Sequence, residues 1–229
     1  MSQEVKEALR RVKARIVATD RVLESSERTN VAARLTGADY ISLGALSVAW
    51  GSALLFLRGE PNLALLAMFV AFLLDKLDGY YARRTGNSSP FGRRVDSFID
   101  VFAYLVPAAL LYRTFSPHVA ATWVVGFVVL AFGGLRLIRH NAEGFGETDG
   151  RSYYHGTTVV HTNLVVVANY LLATSTGWSG WSAGLVVAAA CPLMISDYKA
   201  YKTDTAHALA AGCVLLAAAV AVGFELGYV

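Results

Sequence analysis

Charged residues are scarce in this chain of 229 residues. They make up 16% of it, against about 25% in soluble domains. Cysteine is almost absent as well: Cys191 and Cys213 both lie in apolar stretches, with no CxxC motif or Cys/His cluster. This argues against a disulfide framework and against a zinc site. The composition therefore excludes an ordinary soluble domain, and it gives no indication of a nucleic-acid-binding protein.

Long hydrophobic runs take the place of the missing charge. Hydrophobic residues account for 55% of the chain, and the mean hydropathy is +0.45. Several runs reach the roughly 20 residues that a membrane-spanning helix needs. The apolar segments lie near 39–58, 61–82, 94–114, 118–140, 157–175, 180–197 and 204–226. We therefore predict an all-α, polytopic membrane helical bundle of six to seven transmembrane helices. Pro192 predicts a kink or an irregular end in the segment 180–197.

The charges that remain are distributed unevenly. Residues 1–37 form a basic, amphipathic N-terminal segment typical of a helix on a membrane surface, and 38–229 form the predicted transmembrane domain. With the N-terminus in the cytoplasm, the loops on that side hold Arg83, Arg84, Arg93, Arg94, Arg136, Arg139, Arg151, Lys199 and Lys202. The opposite side keeps Arg58 and Arg113. The positive-inside rule thus predicts a multi-pass protein of the cell membrane with a cytoplasmic N-terminus.

Four aspartates stand where the second apolar segment ends and the third begins, in DKLDGYYARRTGNSSPFGRRVDSFID (75–100). Asp75 and Asp78 are three residues apart and Asp96 and Asp100 are four apart, so each pair shares one helical face. A short connection makes the two helices neighbours, and the acidic faces can then meet. Carboxylate oxygens suit Mg²⁺ or Mn²⁺. The pattern predicts a metal site on the cytoplasmic side.

Small and basic residues accompany the acids. Gly79 and Ala82 have almost no side chain, which would let a diphosphate approach the helix, and Arg83 offers a planar fork of donors. The alternative is that the aspartates form structural ion pairs with nearby arginines. Upstream, Asp39 and Ser42 could reach a cytosine edge. They could equally be a helix cap and a buried hydroxyl that bonds its own helix.

The spacing D-x2-D-G-x2-A-R-x8-G-x3-D-x3-D resembles the signature of the CDP-alcohol phosphotransferase family at every fixed position. The resemblance implies that Asp75, Asp78 and Asp96 bind divalent metals, two ions of Mg²⁺ or Mn²⁺. It implies that Asp100 also contacts metal and is the base that activates the acceptor hydroxyl. A hydroxyl would attack the β-phosphorus of a CDP-linked lipid, and CMP would leave. Residues lining the CDP and diphosphate site would be Asp75, Gly79, Ala82 and Arg83, joined by Asp39 and Ser42.

A second cytoplasmic patch bears on the identity of the acceptor. Arg136, Arg139 and Asn141 are the acceptor-binding candidates, although positive-inside anchoring would also explain the arginines. The stretches DSFIDVFAYLVPAALLY, GGLRLIRHN and YYHG resemble phosphatidylserine synthases. That resemblance favours L-serine as acceptor and CDP-diacylglycerol or CDP-archaeol as donor. His140, and Thr157 with Thr158, depart from the subfamily pattern, and inositol phosphate or glycerol phosphate remain alternative acceptors.

Two further expectations complete the interpretation. The family resemblance implies a homodimer in contact with membrane lipids. A cation transporter using its membrane acids is the alternative of another class. Transporters place such groups near the midplane, often on broken helices. The position of these aspartates at the end of a segment, beside small residues, favours an enzyme.

Overall fold

The structure is a computed structural model that describes residues 30–86, 89–148 and 150–228. Residues 1–29 contain most of the predicted amphipathic segment, and they lie outside the described residues. The predicted surface helix therefore stays a prediction.

Seven α-helices account for most of the described chain, and they fall where the apolar segments predict them. They are α1 (Gly37–Arg58), α2 (Pro61–Thr85), α3 (Pro90–Phe115), α4 (Val119–Glu143), α5 (Val159–Thr176), α6 (Gly180–Ala190) and α7 (Asp204–Glu225). Short 3₁₀ turns cover Val31–Arg34 and Cys191–Ile195. The second of these turns follows α6 and contains Pro192, which confirms the irregular end predicted there.

Five of these helices are long and apolar enough to cross a membrane: α1, α3, α4, α5 and the stretch Ala208–Glu225 of α7. Helix α2 has the length, at 25 residues, but it carries five charged side chains in its second half. Helix α6 and the turn after it form a shorter apolar unit, Gly180–Ile195. The chain is thus a multi-pass, helical membrane protein, as the composition predicts.

Helix α3 begins with a cap and contains one irregular turn. The hydroxyl of Ser89 accepts a hydrogen bond from the backbone N–H of Gly92 at 2.9 Å, and Pro90 occupies the first turn. A wider π turn, Val101–Leu105, follows later. It precedes Pro107, which has no N–H to donate to a carbonyl one turn back. Such turns are often found at functional sites.

The helices pack around one apolar core. Its largest fully buried side chains include Tyr104, Tyr112, Phe56, Leu65, Met68, Leu111 and Met194. Polar contacts join the helix ends far from the acids. The hydroxyl of Tyr170 donates to the Asn62 side chain at 2.6 Å, and that of Tyr112 donates to the Gly180 carbonyl at 3.1 Å.

A small antiparallel sheet is the feature that the sequence interpretation missed. Its strands are β1 (Gly146–Thr148), β2 (Arg151–His155) and β3 (Lys199–Tyr201), in the order β1-β2-β3. The strands lie between the apolar segments 118–140 and 157–175 and between 180–197 and 204–226, where the sequence predicts only loops. Gly156 ends β2 with φ +71°, and its N–H donates to the Tyr198 carbonyl at 2.7 Å. The sheet lies at the same end of the bundle as the C-terminus of α4.

Candidate functional site

The acid cluster forms where helices α2 and α3 meet. One carboxylate oxygen from each of Asp75, Asp78 and Asp96 lies within 4.8 Å of the others. Asp75 and Asp78 are only 7% and 5% exposed. Asp100 is one turn beyond Asp96 on the same helix, close enough to Asp75 and Asp96 for their charges to interact. The predicted convergence of the two acidic faces is therefore found.

This arrangement fits a divalent cation. Buried carboxylates at this spacing repel one another unless a positive charge lies between them. All the candidate ligand atoms are oxygens, the donor type that Mg²⁺ and Mn²⁺ prefer. Lys76 supplies part of the positive charge, because its Nζ lies 2.6 Å from Asp75 Oδ2. Its side chain is 68% exposed, so it approaches the acids from outside the cluster.

Two hydroxyl groups from other parts of the fold also touch the acids. Tyr104, in the π turn of α3, donates its hydroxyl hydrogen to Asp75 Oδ2 at 2.6 Å. Ser42 of α1 hydrogen-bonds to Asp78 Oδ2. Three helices therefore contribute polar side chains to the cluster.

Asp39 and Ser42 make local contacts of the kind expected for helix-capping and backbone-bonding residues. Asp39 is the third residue of α1, and its carboxylate accepts the Thr36 N–H at 2.6 Å in a capping box. Ser42 lies 3.1 Å from the Ala38 carbonyl in addition to its contact with Asp78. A Cβ on Gly92 would lie 3.0 Å from Asp39 Oδ1, so the glycine lets α1 and α3 approach. Cytosine binding by this pair stays a prediction.

The residues predicted to bind the diphosphate, Gly79, Ala82 and Arg83, lie on the same helix as the first two acids. The guanidinium of Arg83 folds back beside Gly79, where a Cβ would lie 3.3 Å from Nη1. Arg83 is exposed, and Ala82 is half-buried. Beside the acids, the surface of α2 at these small residues is therefore covered by the long side chain of Arg83. Diphosphate binding by these residues stays a prediction.

Arg136 of α4 is a buried basic residue on the Asp100 side of the cluster. It is 5% exposed, and its charge interacts favourably with that of Asp100. Its guanidinium lies 5.6 Å from the centre of the Tyr154 ring. Among the described residues, no hydrogen-bond acceptor contacts its buried Nε. Because a buried donor without a partner is costly, this nitrogen is suited to an anionic ligand.

Arg139 and Asn141 take different positions from Arg136. The guanidinium of Arg139 donates to the carbonyls of His155 at 2.6 Å, Ile195 at 2.9 Å and Ser196 at 3.0 Å. Arg139 therefore connects β2 to the turn after α6. Its guanidinium was predicted to bind the acceptor, but its donors are already bonded to these carbonyls. Asn141 donates to the Ser97 hydroxyl at 2.7 Å, between the two acids of α3.

An open cavity of about 350 Å³ adjoins Asn141. Its lining consists of Pro90, Arg93, Arg94, Ile138, Asn141 and Ala142. Arg93 and Arg94 are both exposed. The cavity therefore presents two cationic side chains at the junction of α3 and α4.

The sequence interpretation missed Tyr104, Lys76 and Ser97. Lys76 stands between the first two acids in the chain, and Ser97 directly follows the third, so their positions were visible. Tyr104 lies four residues after Asp100, a spacing that puts two side chains on one helical face. This spacing was the only signal that could have identified it.

Together, the fold and the site define a multi-pass helical membrane protein with a cluster of aspartates between two helices that could hold a cation. A sequence model of the family described as CDP-alcohol phosphatidyltransferase matches residues 35–224. The chain belongs to the CDP-alcohol phosphatidyltransferase family, and it is an enzyme of that family.

Several curated relatives are similar to this chain. One named archaetidylserine synthase, from Methanothermobacter thermautotrophicus, is 31% identical over 169 residues, covering 72% of this chain and 70% of the relative. Another, from Methanocaldococcus jannaschii, is named CDP-diacylglycerol–serine O-phosphatidyltransferase. It is 39% identical over 82 residues, or 34% of this chain and 40% of its own. A protein of the same name from Mycobacterium leprae is 28% identical over 130 residues, covering 55% and 43%.

Proposed function

We propose that this enzyme transfers a phosphatidyl or archaetidyl group from a CDP-linked lipid to the hydroxyl of L-serine, releasing CMP. The observation that carries the proposal is the convergence of the carboxylates of Asp75, Asp78 and Asp96 beside Asp100. The names of the relatives support the choice of serine, because each mentions a serine product or acceptor.

The chain's own residues divide the chemical work. Asp75, Asp78 and Asp96, with Asp100, would hold one or two ions of Mg²⁺ or Mn²⁺. Bound metal would neutralise the diphosphate and the charge that develops on the departing CMP. Asp100 accepts the proton of the acceptor hydroxyl while that oxygen bonds to the β-phosphorus and the bond from this phosphorus to CMP breaks. Positioning and electrostatics carry most of such a phosphoryl transfer.

The donor would lie along α2. Gly79 and Ala82 would leave room for the diphosphate beside the helix once the Arg83 guanidinium turns away from Gly79 and toward a phosphate oxygen. Asp39 and Ser42, at the start of α1, would border the cytidine. The lipid tails of CDP-diacylglycerol or CDP-archaeol would then extend among the surrounding membrane lipids.

Arg136 supports an amino-acid acceptor. A buried guanidinium with an open Nε, close to Asp100, is complementary to the carboxylate of serine. A serine held there would place its hydroxyl toward the proposed base. Asn141 would border the same space from the end of α4. Arg139 would take no part in binding serine, because its guanidinium is bonded to backbone carbonyls of β2 and of the turn after α6.

A phosphorylated acceptor is the second candidate, and one observation favours it. Arg93 and Arg94 line the open cavity beside Asn141, and paired arginines suit a phosphate group. Inositol phosphate and glycerol phosphate are acceptors of this kind. For their hydroxyl to reach Asp100, the cavity would have to open toward that residue. Serine would need only Arg136 to hold its carboxylate near Asp100.

The orientation and assembly of the protein belong to the same proposal. The distribution of basic residues supports a cytoplasmic N-terminus and a cytoplasmic active site in the transmembrane domain 38–229. We expect a homodimer, as in the family.

An acceptor panel tests the proposal. Purified protein in lipid vesicles receives CDP-diacylglycerol or CDP-archaeol with Mg²⁺ or Mn²⁺, and CMP release is measured with serine, inositol phosphate or glycerol phosphate. We expect release that requires both metal and serine. CMP release with inositol phosphate or glycerol phosphate, but not with serine, would favour the phosphorylated acceptor instead. Absence of release with every acceptor and both donors would contradict the transferase function.

A further inference from the structure

Both aspartates of α2 accept a hydroxyl hydrogen from a different helix. Tyr104 of α3 donates to Oδ2 of Asp75 at 2.6 Å. Ser42 of α1 donates to Oδ2 of Asp78. In each carboxylate the same oxygen, Oδ2, is engaged. Each bond uses one of the roughly four lone-pair sites of its carboxylate, and the remaining sites can bind a cation.

Packing holds the Tyr104 hydroxyl in place. The side chain is fully buried, and its ring stacks on Phe72 with the ring centres 4.2 Å apart and the planes 20° apart. Lys76 donates to the same Oδ2 of Asp75 at 2.6 Å. Two donors on one oxygen restrict rotation of the carboxylate about its last bond.

The Ser42 hydroxyl is held in a comparable way. Its oxygen is buried between the Ala38 carbonyl, at 3.1 Å, and Asp78. A serine has only one hydroxyl hydrogen, and a carboxylate is the stronger acceptor because it is charged. The hydrogen therefore goes to Asp78, and its bond connects α1 to the acid cluster.

Fixed carboxylates matter most for a cation with strict geometry. Mg²⁺ demands a near-ideal octahedral arrangement of oxygens. Groups that hydrogen-bond to metal ligands set the orientation of those ligands, and their loss typically weakens metal binding about 10- to 100-fold. In this chain, Tyr104 and Ser42 are the groups that hydrogen-bond to the proposed metal ligands.

We propose that Tyr104 and Ser42 are positioning residues, which hold the carboxylates of Asp75 and Asp78 in the orientation that would bind the metal. This inference rests on the proposed function, since it concerns the metal site of that reaction. It also gives Ser42 a role that needs no nucleotide.

Matched variants on the same helices test the inference. Tyr104→Phe and Ser42→Ala each remove one hydroxyl and keep the rest of the side chain. Tyr112→Phe and Ser52→Ala remove hydroxyls that are equally buried and bonded to backbone carbonyls, those of Gly180 and Ala64. Binding of Mn²⁺ to each purified, full-length protein is measured by electron paramagnetic resonance, without lipid or nucleotide, together with thermal unfolding.

We expect Tyr104→Phe and Ser42→Ala to weaken Mn²⁺ binding about 10-fold or more, while the two controls bind like wild type. Raised Mn²⁺ should restore transferase activity in the first pair. Unchanged Mn²⁺ affinity in both test variants, or equal weakening in all four proteins, would overturn the inference. If Tyr104→Phe fails to fold, Ser42→Ala decides by the same criteria. Wild-type protein that binds no Mn²⁺ would overturn the metal site itself, and with it the proposed function.

Discussion

Replacing Arg139 by glutamine should lower the unfolding temperature and leave the KM for the acceptor unchanged. The guanidinium donates to backbone carbonyls of β2 and of the turn after α6, so its loss leaves several carbonyls without a donor. Hydrogen bonds to charged groups contribute about 1.5–3 kcal/mol each. Because all of these bonds come from one guanidinium, and two of the three from the same nitrogen, their energies do not add in full, and we take about 3 kcal/mol for the set.

This loss in the free energy of unfolding can be measured as a fall in the unfolding temperature. At about 2–4 °C per kcal/mol for a chain of this size, the midpoint should fall by roughly 6–12 °C. Thermal unfolding in detergent and the serine dependence of CMP release are measured on the same protein. Arg151→Gln is the control, because Arg151 is an exposed arginine of β2. An unchanged midpoint with a KM raised about 10- to 100-fold, the loss of one charge-assisted bond to substrate, would refute the reasoning.

Two pairs of glycine variants test the packing and the donor site. A Cβ on Gly133 would overlap the Leu105 side chain, so Gly133→Ala should destabilise the fold by about 1–3 kcal/mol. A Cβ on Gly134 would meet no described atom within 4 Å, so Gly134→Ala should keep or raise the unfolding temperature. If both variants lost the same stability, the close contact between Gly133 and Leu105 would be contradicted. Gly79→Ala should lower kcat/KM for the CDP-lipid about tenfold, because its Cβ narrows the approach to α2, whereas Gly51→Ala should not. Unchanged kcat/KM in Gly79→Ala would argue against a diphosphate beside that helix.

Sequence spacing was sufficient to predict the acid cluster. Asp75 and Asp78 share a face because they are three residues apart, and Asp96 belongs to the next helix along the chain. The hydrophobic runs likewise predict the seven helices and the irregular end at Pro192. These features depend on local periodicity, which a single sequence displays directly.

The contacts of Arg139 could not be predicted in the same way. Its partners lie 16 residues away at His155 and 56 residues away at Ile195. They are backbone carbonyls, which carry no sequence signal. The strands of the small sheet are three to five residues long, too short for an alternating pattern to stand out from a polar loop.

Tyr104 illustrates a second limit. Its spacing from Asp100 suggests a shared face on a regular helix, but the π turn Val101–Leu105 inserts an extra residue into the helical period. The side chain is thereby directed by the turn as well as by its position in the chain. Its partner, Asp75, comes from a different helix 29 residues earlier. Only the packed structure brings these two residues together.

The central claim is that the acid cluster is a metal-dependent transferase site in which Asp100 removes a proton. Its most direct test compares wild type with Asp100→Asn for CMP release from CDP-lipid in the presence of serine and Mg²⁺ or Mn²⁺. The account predicts release by wild type that stops when metal is chelated. For Asp100→Asn it predicts a loss of about 100- to 10,000-fold with an unchanged unfolding temperature. Release that survives both chelation and the Asp100→Asn substitution would contradict it.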